Sequence, residues 1–170
     1  MDNRPVIGID PGLSGGIAIL EDDKVRLEKM PVLVDSKTGR RHVCVVKLKE
    51  ILSASLPAFV VLEKAQPMPR DGSMGSFRYG ECFGTISAVV EMLGMECLQV
   101  HPATWKTAMQ LKGATKDDSR AMASGIIGNP GAFHKKNSHN LAEALLLAQY
   151  GRKILSGDIE ILQRKKKGKK

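Results

Sequence analysis

Two short apolar runs constrain this chain more than any other feature. Val6-Ile7-Gly8-Ile9-Asp10 and Phe59-Val60-Val61-Leu62-Glu63 each end in a carboxylate. The second, near-continuous rather than alternating, reads as a strand buried on both faces. The chain therefore needs a central sheet with material packed on each side.

The segments between these runs supply that material. Pro11-Gly12-Leu13-Ser14-Gly15-Gly16 is turn chemistry, and Ile17 to Leu20 resumes the apolar pattern. Val25, Leu27 and Lys29 alternate before Pro31, which predicts an antiparallel meander of two or three strands at the start. Residues 35–42 (DSKTGRRH) read as a polar, basic loop. Val45 to Leu56 is helical in its spacing and stops at Pro57. Residues 64–76 read as a long exposed loop, of the kind that carries function in compact domains. Tyr79 to Leu93 is a helix with Phe83, Ile86, Val89, Val90 and Leu93 on one stripe, and Gly94 as its C-cap. Cys97 to Val100 is a strand, followed by helices over 103–111 and 115–127, a loop over 128–138, and a helix over 141–155. In that last helix Leu141, Ala144, Leu145 and Ala148 form the buried side. Strands that alternate with helices after an antiparallel start predict an α/β fold with a mixed sheet flanked by helices.

Length and composition narrow the class. The 170 residues make one domain, expected over 1–157 with a basic tail over 158–170. The start, MDNRPVIGID, lacks the pattern of a signal peptide, and no apolar run approaches the ~18 residues that span a bilayer. No membrane partner is expected. Cys44, Cys82 and Cys97 are odd in number and form no CxxC pair, so they read as buried free thiols rather than zinc ligands or disulfides. A reducing, intracellular setting fits: the cytoplasm of a bacterium or phage-infected cell, or an organelle stroma. The formal charge of +8 points to a polyanion as partner. Most of it is the end of the chain, because RKKKGKK at 164–170 carries six positive charges and no acid.

Asp10 and Glu63 close central strands, where sites form in open α/β sheets, and Glu143 sits early in the last helix. Mg²⁺ takes one or two carboxylates plus substrate phosphate oxygens, and two such ions ~4 Å apart clamp both reacting oxygens of a phosphodiester. Phe77, Tyr79 and Phe83 are three of the seven aromatics, and they lie beside Lys64, Arg70 and Arg78. Aromatics in a basic loop suit stacking on unpaired bases. Phe83 fits the core stripe, which leaves Phe77 as the candidate wedge. Thr115-Lys116-Asp117-Asp118 is a helix start with a Thr cap and early acids, and it seats Lys116 where a phosphate would bind. Lys112, Lys135 and Lys136 are further candidate phosphate contacts.

VIGIDPGLSGGIAIL, FVVLEKAQPMP and HNLAEALLLAQYG, in this order and spacing, resemble the RuvC-type Holliday-junction resolvases of the RNase H-like superfamily. WKTAMQLKGATKDDSRAMAS, followed by KK and AEALLLAQYG, is similar to the chloroplast and phage members. The resemblance covers roughly residues 5–155. It implies an RNase H-like fold with a five-stranded sheet and a homodimer built on the Tyr79–Leu93 helix. It implies a Mg²⁺-dependent endonuclease, Mn²⁺ substituting, that nicks four-way junction DNA symmetrically. Asp10, Glu63 and Glu143 match the catalytic acids, and Lys116 the lysine near the scissile phosphate.

The family also places a ligand or base three or four residues before the last acid. His139 and Asn140 are the candidates here, on the same helical face as Glu143. Bacterial relatives often carry Asp where this chain has Asn140. Either His139 completes the site, or Asn140 depletes it, natively or as an engineered replacement, and leaves a junction-binding module that does not cleave. A nuclease acting on other branched or RNA-containing substrates is a third reading.

Overall fold

The computed structural model describes residues 2–64 and 72–160. Arg70 and the RKKKGKK segment lie outside the described residues. Five strands form the main sheet: β1 (Val6–Asp10), β2 (Gly16–Glu21), β3 (Lys24–Lys29), β6 (Phe59–Glu63) and β7 (Glu96–Val100). Their spatial order is β3-β2-β1-β6-β7. β1 pairs antiparallel with β2, and β2 with β3, while β1–β6 and β6–β7 are parallel. The expected mixed five-stranded sheet flanked by helices is what the chain forms.

Strand periodicity sorts the two faces. Val6, Ala18, Leu20, Phe59 and Val61 point into one apolar layer, covered by α3 (Pro102–Ala108), α4 (Lys116–Ile127) and α5 (His139–Leu155). Ile7, Ile9, Ile17, Ile19, Val60 and Leu62 point into the other, covered by α1 (Val45–Ser53) and α2 (Gly72–Met92). By the same alternation Asp10 and Glu63 face the α5 side. Ile9 pairs with Leu62, so the two acids stand side by side one residue further on.

Gly8 explains how α5 reaches them. A Cβ built there would lie 2.1 Å from the Ala144 carbonyl oxygen and 2.3 Å from the Ala148 nitrogen. Only glycine lets the helix backbone settle on β1 this closely. Gly16 does the same at the helix start, where a Cβ would sit 2.9 Å from the Asn140 carbonyl oxygen. Gly151 meets Val6 and Val61 at the other end, so α5 runs opposite to β1 with its N-terminus over the Asp10 end. Residues 142–148 are all buried, because the sheet covers one side of α5 while α4 packs on the helix as well.

Several expectations need correction. The expected loop over residues 35–42 is partly strand: β5 (Arg41–Val43) pairs with β4 (Val32–Val34) in a separate two-stranded sheet. The helix α2 begins at Gly72, not Tyr79, so the end of the expected 64–76 loop is helical. The last helix starts at His139, preceded by a 3₁₀ turn over Lys136–Ser138. α1 ends at Ser53, before Pro57. Of the three thiols only Cys82 is buried; Cys97 is exposed because β7 is an edge strand. Among the described residues no helix is long and apolar enough to cross a membrane.

Candidate active site

A cleft of about 570 Å³ opens at the ends of β1 and β6, between α2, α4 and α5. Asp10, Arg78, Tyr79, Lys106, Lys116, His139, Asn140 and Glu143 line it, with the Pro11–Gly15 loop as one wall. Asp10, Glu63, His139 and Glu143 are all buried, which is unusual for charged groups unless they are paired or functional. The sequence-predicted acids do converge on one place.

Each acid is held differently. Glu63 Oε2 accepts a 2.7 Å bond from the indole N–H of Trp105, a side chain with no solvent exposure. Glu143 Oε1 lies 2.5 Å from Lys106 Nζ, an ion-pair contact without hydrogen-bond geometry. Glu143 Oε2 lies 3.2 Å from His139 Nε2, one helical turn earlier. The other ring nitrogen, Nδ1, is buried and has no partner. Lys106 also sits 5.2 Å from the centre of the Trp105 ring. Trp105 and Lys106 therefore tie β6 and α5 together through α3.

The electrostatics follow from burial and like charge. Burial, then Glu63 and Glu143, push the Asp10 carboxyl well above its ordinary value; Lys106 and Lys116 pull against that rise. Burial also raises Glu63, opposed by the Trp105 bond. His139 is lowered by burial, with Lys116 and Lys106 acting in the same direction and Glu143 against. Tyr79 is raised by burial and by Asp10.

His139 and Asn140 part company here. The Asn140 amide N–H donates a 2.5 Å bond to the Ser14 carbonyl, which fixes the amide's orientation because a carbonyl can only accept. Asn140 thus clasps the loop after Asp10, while His139 joins Glu143. Thr115 caps α4 as expected: its hydroxyl accepts from the Asp118 N–H at 3.2 Å, and Asp118 Oδ2 accepts from the Thr115 N–H at 2.7 Å. That places Lys116 on the cleft wall. Arg78 and Tyr79 line the cleft, and Phe77 stands beside it, 64% exposed. Phe83 packs against the α2-side core. Lys64, Lys112, Lys135 and Lys136 are exposed and lie outside the cleft lining.

Sequence reasoning missed Trp105 and Lys106. Their stretch carried part of the resemblance, but nothing local signals a contact made 42 residues away.

Among the described residues no three His, Cys, Asp or Glu side chains converge as a ready metal cage. Mg²⁺ does not require one, since it keeps waters and binds through one or two carboxylates plus substrate phosphate. The hard oxygen donors of Asp10, Glu63 and Glu143, and the orphaned Nδ1 of His139, fit such an ion.

No protein-family model matches the sequence, and no curated protein does. Solved structures do. Thermus thermophilus RuvC in complex with a Holliday-junction substrate aligns with a TM-score of 0.64 and 20% identity, over 91% of this chain and 96% of that one. A second Thermus thermophilus RuvC structure aligns at 0.60 and 18% identity, over 89% and 96%. The fold is that of RuvC. Against the RuvC fold, the cleft lies where parallel strands β1 and β6 end, the position that open α/β sheets use for sites.

Proposed function

We propose that this chain is a metal-dependent endonuclease that resolves four-way DNA junctions by symmetric phosphodiester hydrolysis. The observation that carries the reading is that Asp10, His139 and Glu143 line one cleft of a RuvC-like fold, with Glu63 buried outside the lining but close enough for its charge to act on Asp10. One neighbour of that fold holds a Holliday junction, which supports the substrate class.

Asp10, Glu63 and Glu143 would hold two Mg²⁺ ions, with Mn²⁺ able to replace them, and His139 would complete the set. When bound, the ions would polarise the scissile phosphate and lower the pKa of the attacking water. The protein's own groups do the positioning. Trp105 pins one oxygen of Glu63 and so orients the other. Lys106 and Lys116 place cations on the cleft wall to meet the charge of the phosphate. Burial keeps His139 neutral, which leaves the Nδ1 lone pair free to join that set. Asn140 holds the loop that follows Asp10. Phe77 projects beside the cleft to stack on an unpaired base at the branch.

A single cleft cuts one strand, so resolution requires two. A two-fold homodimer, built on the exposed length of α2, supplies the second cleft. The likeness of the stretch WKTAMQLKGATKDDSRAMAS to the chloroplast and phage resolvases supports kinship with them, and the free thiols support an intracellular, reducing setting. The His139–Glu143 pairing favours a competent site over one depleted at Asn140.

A panel of labelled four-way junction, Y-fork, duplex and RNA–DNA hybrid, each with Mg²⁺, tests this reading. Paired nicks in the junction support it. Binding without product would favour the non-cleaving module, and preferential cutting of the hybrid would favour another branched-substrate nuclease.

A further inference from the structure

The proposed function gives no role to the basic β4–β5 hairpin. Yet the cleft does not close at Arg78. Leu13, Arg78 and Cys82 also wall a second hollow of about 440 Å³, whose far side is the hairpin with Arg40 and Arg41. Arg40 and Arg78 then border a third hollow beside Phe77. Three exposed guanidiniums, Arg78, Arg41 and Arg40, therefore line the hollow that adjoins the cleft.

Two acids share this groove, and both are engaged. Asp35 accepts from the backbone N–H groups of Thr38 at 2.7 Å and Lys37 at 3.0 Å, inside its own turn. Glu81 on α2 pairs with Arg40 at 2.6 Å. Arg41 donates at 3.2 Å to the Leu13 carbonyl, in the loop that follows Asp10. That bond makes the hairpin and the cleft share a wall. Each guanidinium presents five donors in a fork suited to phosphate oxygens, and each of these two spends one among the described residues.

We infer that the groove between the hairpin and α2 binds the sugar-phosphate backbone of the strand leaving the cleft, with Arg40 and Arg41 on successive phosphates. This rests on the proposed function, in which the cleft holds a DNA phosphodiester. Such contacts carry no sequence information; they set register and the direction in which the strand exits.

Junction affinity measured against salt, with divalent ions chelated so that nothing is cut, tests the inference. Each lost phosphate contact flattens the log–log slope by about 0.7–0.9. Arg40→Gln with Arg41→Gln should therefore flatten it by about 1.4–1.8, which at ~100 mM salt weakens binding about 25- to 60-fold relative to a 1 M reference. Arg40→Gln alone leaves the Leu13 bond intact and should show half that change in slope. Lysine at both positions should restore the wild-type slope. An unchanged slope in either glutamine variant overturns the inference while junction binding stands. Failure of the lysine pair to restore it, with the melting curve unchanged, would show that the charge at these positions does not set the slope and also overturns it. A wild-type chain that binds no DNA would remove both this inference and the function beneath it.

Discussion

Gly8→Ala probes how closely the site depends on one backbone contact. The new Cβ would sit 2.1 Å from the Ala144 carbonyl oxygen, against the 3.4 Å at which ordinary contact begins. Relief requires α5 to move off β1 by about 1.3 Å, because both partners are backbone and neither can rotate aside. Overpacking of this kind costs about 3 kcal/mol or somewhat more. For a chain of this length that lowers Tm by ~6–12 °C. Glu143 is next to Ala144 and moves with it, away from Asp10 and Glu63. A displacement near 1 Å in a catalytic group costs ~100-fold in rate. Junction binding, which spreads over many contacts, should stay within a few-fold. The assay is paired: thermal melting for the packing, and single-turnover junction cleavage with binding for the site. A variant that melts and cuts like wild type would refute the claim that Gly8 sets the seat of α5.

Other outcomes follow from the same geometry. Trp105→Phe removes the bond to Glu63 and should cost about 1.5–3 kcal/mol in denaturant unfolding, with cleavage falling more than binding. Phe77→Ala should change stability by about 0.5 kcal/mol or less, since the side chain is 64% exposed, yet weaken junction engagement by roughly 1–3 kcal/mol in a binding titration. The Asp10 carboxyl is raised in the fold, so the folded chain keeps that proton to higher pH than the unfolded one. Its ionisation thus costs stability as pH rises from the unfolded value of 3.8 upward. Asp10→Asn should accordingly gain Tm over wild type as pH climbs from about 4 to 8 without divalent ions. Taking the difference between the two proteins cancels His139, whose lowered value acts in the opposite sense. A difference independent of pH would show that the Asp10 charge is not strained.

What was legible in the sequence was whatever a single run of residues decides. Val6–Asp10 and Phe59–Glu63 announce buried strands, and their terminal acids announce the site, because burial on both faces leaves no room for alternation. Thr115 and Asp118 announce a helix start through local hydrogen bonds alone. The β4–β5 hairpin escaped because its strands are three residues long, too short for periodicity to register. The first turns of α2 escaped because Gly72, Ser73, Gly75 and Ser76 are poor helix formers that local preference assigns to a loop. Trp105, Lys106 and the clasp from Asn140 to Ser14 are tertiary contacts, 42, 37 and 126 residues apart in the chain. No local pattern encodes them. Which of His139 and Asn140 lies against Glu143 depends on side-chain direction, which only the packed helix shows.

The most direct test is cleavage of a synthetic four-way junction in Mg²⁺ by the wild-type chain and by Asp10→Asn, with binding measured on the same substrate. The account predicts symmetric paired nicks by the wild type, no product from Asp10→Asn, and comparable junction affinity for both. Cutting by Asp10→Asn at the wild-type rate would contradict the site, and junction binding by the wild type without any product would contradict the function.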